Sequence, residues 1–333
     1  MINHLFRLKH RPSGAVKRSD FSFGSEEVRE LVDGEVLVQI QYISLDPAMR
    51  GWMNASENSY MPPVAIGDVM RAIAAGKVVR SRSGYFAVGD HVTGLLGVQE
   101  YAISSGQGLF KVDASLAPLP LFLGTLGMTG MTAYFGLLDV GQPRPGDTVV
   151  VSGAAGAVGA TVGQIAKIKG ARVVGIAGGA DKCRYLIDEL GFDAAIDYKS
   201  ESVAAALAQH CPNGVDVFFD NVGGEILDAV LGRLAMHARV VICGAISQYN
   251  NLEAAKGPAN YLQIMVKRAT LRGVMVSDYY PRAKEAITDM AGWIAAGKLK
   301  TREDVVPGLD TFPETFQKLF DGSNNGKLVL KVA

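Results

Sequence analysis

Hydrophobic positions along this chain follow two different periods, and the change from one to the other divides the sequence into two parts. Between Gly34 and Asp113, short runs rich in β-branched residues are separated by glycine and proline turns. This pattern is typical of a small, mainly antiparallel β domain. The strands that it predicts are Val36–Ser44, Met70–Val79, His91–Leu96 and Leu109–Val112.

From about Thr125 onward, strand-like apolar runs alternate with stretches in which apolar residues recur every three or four positions. Such alternation predicts an α/β domain in which helices cover both faces of a doubly wound parallel sheet. The predicted strands of this six-stranded sheet are Val149–Val151, Arg172–Ala177, Ala194–Asp197, Val215–Asp220, Arg239–Gly244 and Leu271–Val276. The predicted helices are Ala157–Lys169, Lys182–Leu190, Ser202–His210 and Arg282–Ala296.

The end of the chain is expected to leave the α/β domain. A helical pattern over Phe312–Phe320 is followed by a strand-like run, Lys327–Val332, and we expect this tail to return to the first domain. The sequence therefore predicts a β domain at 1–124, a doubly wound domain at 125–300 and a returning segment at 301–333.

Two segments could be mistaken for targeting or membrane signals. The first 19 residues carry five Lys or Arg and no acid, as a transit peptide does, but the turn signal Pro12-Ser13-Gly14 favours a β-hairpin. The segment Ala114–Leu138 has no charged residue over 25 positions. Because it contains two prolines and four glycines, we interpret it as buried connecting structure and expect no membrane contact.

Composition narrows the function classes. The chain has 333 residues, enough for two domains, and 33 basic residues balance 33 acidic ones. Without a dense basic run, a nucleic-acid partner is not expected. The three cysteines, Cys183, Cys211 and Cys243, are far apart and form no C-x-x-C pair, so reduced thiols in a cytoplasmic protein are the simplest interpretation.

The strongest chemical signal is the glycine-rich turn that follows the first strand of the α/β domain. A strand–turn–helix of this kind binds the pyrophosphate of a dinucleotide on the N–H groups at the helix start. Gly156 allows close approach of the phosphates and Gly159 allows the helix to lie against the strand, whereas Ala154 stands where the usual first glycine would be. The predicted cofactor contacts are Ala154, Gly156, Ala157, Val158 and Gly159.

The end of the second α/β strand indicates which dinucleotide is bound. An NAD site usually has an acidic residue there, which accepts hydrogen bonds from the ribose hydroxyls. Here the strand ends in Ala177-Gly178-Gly179, and Lys182 and Arg184 follow. Small residues and cations would accept a 2′-phosphate, so the sequence predicts NADPH/NADP+ with Gly178 and Lys182 as contacts.

Four further segments carry a family resemblance: Tyr42–Gly51 (YISLDPAMRG), Gly124–Tyr134 (GTLGMTGMTAY), Asp220–Gly224 (DNVGG) and Cys243–Asn250 (CGAISQYN). With them the chain resembles the medium-chain dehydrogenase/reductase superfamily over essentially its whole length. The most similar branch contains zinc-independent prostaglandin reductases, plant double-bond reductases and bacterial curcumin reductases. The resemblance implies a GroES-like β domain and a Rossmann domain, with the active site in the cleft between them.

The same resemblance implies an activity. Members of the branch use NADPH to reduce the C=C bond of small, apolar α,β-unsaturated ketones or aldehydes, usually as homodimers. For the dimer contact, the apolar strand Leu271–Val276 is the candidate, because an edge strand with so little charge would otherwise be exposed. Two alternatives are an NADPH quinone oxidoreductase and a non-catalytic protein that binds NADPH in a structural or sensory role.

By resemblance, Tyr198, Asn221, Cys243 and Asn324 contact the cofactor, and Tyr249 is the phenol that acts in catalysis. Hydride delivery to the β-carbon of an enone places negative charge on the carbonyl oxygen, where a hydrogen-bond donor is needed. Tyr249 could instead form only a pocket wall, with water or a ribose hydroxyl supplying the proton. Asn221 and Asn324 could equally be turn residues.

No metal is expected, because the zinc-binding members of the superfamily have ligands that this chain lacks. Ser44 and Leu45 stand where those members have a cysteine, and Gly67-Asp68-Val69 stands where they have a His-Glu pair. The four-cysteine structural lobe is also missing.

One departure affects the substrate pocket. Many relatives have an aromatic Tyr where this chain has Ala48, so Trp52 or Tyr60 is expected to supply that wall, and Tyr261 is a further pocket candidate. Arg50, in the same motif, is interpreted as a structural residue paired with a carboxylate such as Asp46.

Overall fold

The computed structural model describes residues 1–56, 59–251 and 255–332. The chain forms two compact units, one made of Met1–Gly124 together with Glu303–Ala333 and the other of Thr125–Arg302. The strands of the described residues are β1 (Ile2–Leu8), β2 (Phe21–Glu27), β3 (Val36–Ser44), β4 (Ile73–Ser81), β5 (His91–Leu95), β6 (Tyr101–Ser104), β7 (Phe110–Val112), β8 (Thr148–Ser152), β9 (Arg172–Ala177), β10 (Ala194–Asp197), β11 (Val215–Asp220), β12 (Leu234–Ile242), β13 (Thr270–Gly273), β14 (Glu303–Pro307) and β15 (Lys327–Lys331). The α-helices are α1 (Ala48–Trp52), α2 (Met128–Phe135), α3 (Ala157–Ile168), α4 (Ala180–Arg184), α5 (Val203–His210), α6 (Gly224–Leu231), α7 (Leu262–Val266), α8 (Ala283–Ala295) and α9 (Phe312–Asp321).

The first unit is built on a mainly antiparallel sheet with strand order β14-β15-β3-β4-β5-β7, and β6 pairs with β3. Only β14 and β15 run parallel to each other. The predicted hairpin at the chain start is present as β1 paired with β2. Aromatic side chains of β1, β2 and α9 pack together beneath it, with ring centres of Phe6, Phe21 and Phe312 5.0 to 6.2 Å apart. The predicted β domain is confirmed.

A buried ion pair joins the last strand of this unit to the end of β3. The Nζ atom of Lys327 lies 2.8 Å from Oδ1 of Asp46 and 2.9 Å from the carbonyl oxygen of Leu45. The Ser44 hydroxyl donates to the other carboxylate oxygen of Asp46. The expected pairing of Asp46 with Arg50 is therefore wrong, because the carboxylate is already used by a lysine.

Arg50 is nevertheless structural. Its buried guanidinium donates to the carbonyl oxygens of Pro12 and Gly14 and to the side chain of Asn54. These bonds fix the turn between β1 and β2 against α1. Burial lowers the pKa of Arg50.

The second unit is an all-parallel sheet with strand order β10-β9-β8-β11-β12-β13, so the predicted six-stranded Rossmann sheet is confirmed. Its central strands are apolar on both faces because helices cover both sides; Val149, Val150 and Val151 are completely buried. After β8, the chain adds β9 and β10 on one side of this strand and then β11, β12 and β13 on its other side. Open α/β folds bind ligands at the point where the strand order changes direction in this way.

Several predicted strand bounds need correction. The strand predicted at Leu271–Val276 ends at Gly273, and a 3-10 helix begins at Val276. Val274 is only 8% exposed, and its Cγ1 atom would lie 3.4 Å from a Cβ atom on Gly136. The sequence is therefore apolar beyond Gly273 because Val274 is buried, although its backbone is no longer part of the strand. The strand predicted at Arg239–Gly244 begins earlier, at Leu234, and stops at Ile242.

The uncharged segment Ala114–Leu138 is compact connecting structure. It contains a 3-10 helix, Leu119–Phe122, and most of it is buried, including α2.

Strands β6 and β14, which are short or polar, were not predicted. Within the described residues, no helix combines the length and the apolar character that crossing a bilayer requires.

Candidate functional site

The carboxyl ends of the parallel strands β8 to β12 lie along one edge of the sheet, and the residues that follow them include most of the sequence-predicted contacts. Ala154 and Gly156 follow β8, Gly178 follows β9 and Tyr198 follows β10. Asn221 follows β11, while Cys243 and Tyr249 follow β12. We call this set of loops the carboxyl edge.

The glycine-rich turn after β8 is shaped by contacts that exclude side chains. Gly153 has φ +59°, a conformation that favours glycine. A Cβ atom on Gly159 would lie 2.4 Å from the carbonyl oxygen of Gly153, so only glycine lets α3 pack this closely on the turn. The first intrahelical bond runs from the Ala160 N–H to the Gly156 oxygen. The N–H groups of Ala157, Val158 and Gly159 precede it and have no acceptor within the helix, which suits a pyrophosphate.

The residues that end β9, Ala177-Gly178-Gly179, include no acid. Asp197, at the end of β10, accepts the Gly179 N–H at 2.7 Å and the Lys199 N–H at 3.0 Å. These backbone donors lower the pKa of Asp197 and hold the Gly178–Gly179 turn in place.

Two predicted cofactor contacts meet at this turn. A Cβ atom on Gly178 would lie 2.9 Å from the hydroxyl oxygen of Tyr198, so the tyrosine ring packs directly on the glycine. Lys182 lies one turn further along, in α4, and is half-buried. Arg184 forms an ion pair with Asp181. Lys182 as the contact for a 2′-phosphate stays a prediction.

Sequence reasoning missed the residue that organises the middle of the carboxyl edge, Asp220. Its buried carboxylate accepts the Ser152 hydroxyl at 2.7 Å and the N–H groups of Val222 and Gly223 at 3.0 Å. Its backbone oxygen accepts the N–H groups of Cys243 and Gly244. Burial raises the pKa of Asp220, and the donated bonds act in the opposite direction. One residue thus connects the ends of β8, β11 and β12.

Asn221 is held by the same network. Its N–H donates to the Ser152 hydroxyl oxygen at 2.8 Å and its side-chain amide donates to the Ser152 carbonyl at 2.7 Å. The turn-forming alternative therefore describes part of its role, and a cofactor contact stays a prediction. An acid that ends a buried strand and is followed by Asn-Val-Gly-Gly is the sequence signal that could have pointed to Asp220.

The loop that carries Tyr249 is joined to the turn after β11. The Ile246 N–H donates to the Asn221 carbonyl, and both the N–H and the hydroxyl of Ser247 donate to the Val222 carbonyl. The two segments approach so closely that a Cβ atom on Gly224 would lie 3.0 Å from the hydroxyl oxygen of Ser247. The position of Tyr249 is therefore set by the same turn that Asp220 holds.

The Tyr249 hydroxyl oxygen accepts the Ala245 N–H at 3.1 Å. A phenol whose oxygen accepts a hydrogen bond becomes a stronger donor through its own O–H, because such bonds polarise one another. This geometry suits a group that must donate to a developing negative charge.

Cys243 lies at the start of the same loop. Burial, together with the nearby Asp220 carboxylate, raises the pKa of its thiol to about 12. Any contact of Cys243 with a cofactor is therefore made by its backbone or by a neutral thiol.

Four further predicted contacts are not on the carboxyl edge. Asn324 belongs to the first unit, in the turn before β15, where its side-chain amide donates to the Gly326 carbonyl at 3.0 Å. Tyr261 ends a 3-10 helix on the surface of the second unit and is exposed. Trp52 and Tyr60 are brought together in the first unit, where the indole N–H donates to the phenol oxygen at 2.9 Å.

Among residues 1–56, 59–251 and 255–332, no three His, Cys, Asp or Glu side chains are placed to share a metal ion. Ser44, at the expected position of a zinc ligand, donates instead to Asp46. Zinc independence stays a prediction.

Comparison with known proteins places this geometry in a family. A family model described as the N-terminal domain of oxidoreductase matches residues 4–112, and one described as zinc-binding dehydrogenase matches residues 157–295. The chain is 44% identical to the NADPH-dependent curcumin reductase of Escherichia coli, over 99% of this chain and 97% of that protein. It is 40% identical to the NADP+-dependent 2-alkenal reductase of Nicotiana tabacum, over 98% and 96% of the two chains.

A crystal structure of CurA from Vibrio vulnificus, solved in complex with NADPH, superposes with a TM-score of 0.94. The two proteins are 42% identical, and the match covers 99% of each chain. These relatives share both units and nearly the full length. The chain belongs to the medium-chain dehydrogenase/reductase superfamily, in its NADPH-dependent reductase branch.

Proposed function

We propose that this protein uses NADPH to reduce the C=C bond of small, apolar α,β-unsaturated ketones or aldehydes. It is an NADPH-dependent oxidoreductase, and the proposal concerns the bond that it reduces. The observation that carries the proposal is the placement of Tyr249. Its hydroxyl belongs to a loop that hydrogen bonds join to the Asn221–Gly224 turn of the carboxyl edge. The names of the curcumin and 2-alkenal reductase relatives support the same chemistry.

In this proposal, separate groups of residues bind the cofactor and act on the substrate. NADPH, when bound, supplies a hydride for the β-carbon. The N–H groups of Ala157, Val158 and Gly159 hold the pyrophosphate, and Lys182 with Tyr198 holds the 2′-phosphate. Tyr249 donates a hydrogen bond to the carbonyl oxygen of the substrate, which becomes negative as the hydride arrives. Its phenol proton then passes to the α-carbon of the enolate, which gives the saturated product, and water replaces the proton on the tyrosine. No covalent intermediate with the protein is needed.

The reaction itself is tested by incubating the enzyme with NADPH and a panel of enones, enals and quinones. Loss of the reduced-nicotinamide absorbance gives the rate, and mass spectrometry identifies the product. We expect the saturated ketone or aldehyde. A preference for quinones, with the enones unchanged, would favour the quinone oxidoreductase alternative.

Cofactor choice is expected to depend on Lys182. The substitution Lys182→Ala should weaken NADPH binding roughly 10- to 150-fold, the equivalent of about 1.5–3 kcal/mol for a charge-assisted bond. NADH binding should change little, because NADH has no 2′-phosphate. Fluorescence titration with both cofactors measures this. Arg184→Ala is the matched control, because Arg184 is already paired with Asp181; an equal loss in both variants would contradict the assignment.

Asp220 is expected to matter for cofactor binding more than for general stability. In Asp220→Asn, one carboxylate oxygen becomes an NH2 group facing the Gly223 N–H, so the loops lose a fixed acceptor. We expect the Kd for NADPH to rise on the order of tenfold, about 1.4 kcal/mol.

The matched control is Asp216→Asn at the other end of the same strand. Asp216 also connects β11 to β8, through the Thr148 N–H at 2.8 Å, but it lies at the amino end of both strands. That variant should keep its NADPH affinity within about twofold. If both variants bind NADPH like the unaltered protein, Asp220 does not position the cofactor loops.

The hydroxyl of Tyr249 should matter more to turnover than to cofactor binding. Tyr249→Phe keeps the ring and removes the donor, so kcat on an enone should fall on the order of 10²-fold while NADPH affinity changes little. Rapid-mixing kinetics and cofactor titration separate the two. Unchanged turnover would assign the proton to water or to a ribose hydroxyl and leave Tyr249 as pocket wall.

We also propose a homodimer formed through the edge strand β13. This strand is Thr270–Gly273, shorter than the segment expected from the sequence. The Val274 N–H donates to the Ile242 carbonyl of β12, and N–H direction alternates along a strand, so the N–H of Leu271 faces the unpaired edge. Leu271 is 42% exposed, and Met265 of the adjacent α7 is 71% exposed. Pairing with the same strand of a twofold-related copy would give hydrogen-bond partners to the outward N–H and C=O groups of β13 and would cover these side chains.

Leu271→Pro removes one outward N–H without affecting the bonds to β12, so it should produce folded monomers. Leu271→Ser keeps that N–H and serves as the control for lost apolar surface. Sedimentation velocity at micromolar concentration measures the oligomeric state. A dimer that survives the proline, or an unaltered protein that is monomeric, would exclude this interface.

A further inference from the structure

Lys199 lies beside Gly178, in the turn that directly follows β10. A Cβ atom on Gly178 would lie 2.9 Å from Cε of Lys199, the same distance as from the hydroxyl oxygen of Tyr198. The two side chains can reach the same glycine because the chain turns here, with the Ser200 N–H donating to the Asp197 carbonyl. The ammonium nitrogen of Lys199 is one bond beyond Cε, so its positive charge lies close to this glycine.

The backbone of Lys199 is fixed by the same acceptor that fixes the turn after β9. Oδ1 of Asp197 accepts the Gly179 N–H at 2.7 Å and the Lys199 N–H at 3.0 Å. The Gly179 bond lowers the pKa of Asp197 most, and the Lys199 ammonium acts in the same direction with the smallest effect. The carboxylate is therefore stabilised mainly by backbone donors, and it holds Lys199 and the Gly179 turn at a fixed spacing.

The charge of the cofactor favours more than one cation at this turn. A phosphate monoester carries about −1.5 to −2 charges at neutral pH and has three strong acceptor oxygens. Lys182, the proposed contact, supplies one positive charge, and the Tyr198 hydroxyl is neutral. Arg184 already forms an ion pair with Asp181. One lysine would leave a large part of the phosphate charge unbalanced, whereas a second lysine would balance it.

We propose that Lys199 is a second cationic contact for the 2′-phosphate of NADPH and helps to select NADPH over NADH. Its ammonium group is a charge-assisted donor to the phosphate oxygens. Gly178 is needed for the same reason, because any side chain there would push both Tyr198 and Lys199 aside. This inference rests on the proposed 2′-phosphate contact of Lys182, and it does not depend on which substrate bond is reduced.

The first test uses Lys199→Met, which keeps an unbranched apolar side chain against Gly178 and removes the charge. The Kd for NADPH should rise about fivefold, less than for Lys182→Ala, because Lys199 is exposed and its charge is screened by solvent. The Kd for NADH should not change. Lys199→Arg should bind NADPH like the unaltered protein, and Lys199→Glu should weaken NADPH roughly 25-fold, because a repulsion replaces the attraction. Fluorescence titration with both cofactors measures all of these.

Arg172→Met is the matched control, because Arg172 is an exposed cation at the opposite end of β9. The strand separates it from Gly178 by about 20 Å, more than two screening lengths at physiological ionic strength. NADPH affinity should therefore be unchanged in this variant. An equal loss in the Arg172 and Lys199 variants would indicate a general charge effect and overturn the proposal.

The other outcomes separate this inference from the assignment on which it rests. A loss of NADH and NADPH affinity by the same factor in Lys199→Met would indicate a packing role, and the proposal would be wrong. If Lys182→Ala weakens NADPH and Lys199→Met does not, only the role of Lys199 is excluded. If neither variant affects NADPH, the 2′-phosphate does not bind at this turn and both assignments fail.

A second measurement needs neither the nicotinamide nor turnover. Adenosine 2′,5′-bisphosphate and adenosine 5′-monophosphate differ only in the 2′-phosphate, and calorimetry measures their binding. Lys199→Met should weaken the bisphosphate about fivefold and leave the monophosphate unchanged. At an ionic strength of about 1 M, where the screening length is about 3 Å, most of this difference between the unaltered protein and the variant should disappear. A difference that persists at high salt would come from packing and would exclude a contact between charges.

Discussion

The carboxyl edge of the Rossmann sheet depends on one buried carboxylate. Asp220 accepts a hydroxyl and two N–H groups with its side chain and two further N–H groups with its backbone oxygen, and these donors come from the ends of β8, β11 and β12. A carboxylate removed from water is stable only when such donors replace the solvent. The donors, in turn, lie in the loops that a dinucleotide and Tyr249 require. Asp220 and the loops therefore fix each other.

Two kinds of constraint combine at this edge. Glycines such as Gly159 remove side chains so that backbone segments can approach, and the Asp220 hydrogen bonds then determine how those segments are spaced. The result is a site whose donors are oriented before any ligand arrives, which lowers the ordering cost of binding.

The sequence predicted the features that depend on local pattern. The change of hydrophobic period predicted the two kinds of sheet. The run from Val149 to Gly159 predicted the turn and the helix that follow β8, because glycine and β-branched residues act within a few positions. Pairings between distant residues could not be predicted in this way. Asp46 pairs with Lys327, 281 positions away, instead of the nearby Arg50. The run Leu271–Val276 was misjudged because a buried Val274 has the same apolar signal whether or not its backbone is in the sheet.

Cys243 has a consequence for an enzyme of this proposed chemistry. Enones and enals are electrophiles that react with thiolates, and the loop that carries Tyr249 begins with a thiol. Burial raises the pKa of that thiol, so the neutral form is favoured over the reactive thiolate at neutral pH. The same Asp220 carboxylate that orders the loops also disfavours the thiolate. The loop that positions Tyr249 therefore carries its sulfur atom in the less nucleophilic, neutral form, which is the form least reactive toward such electrophiles.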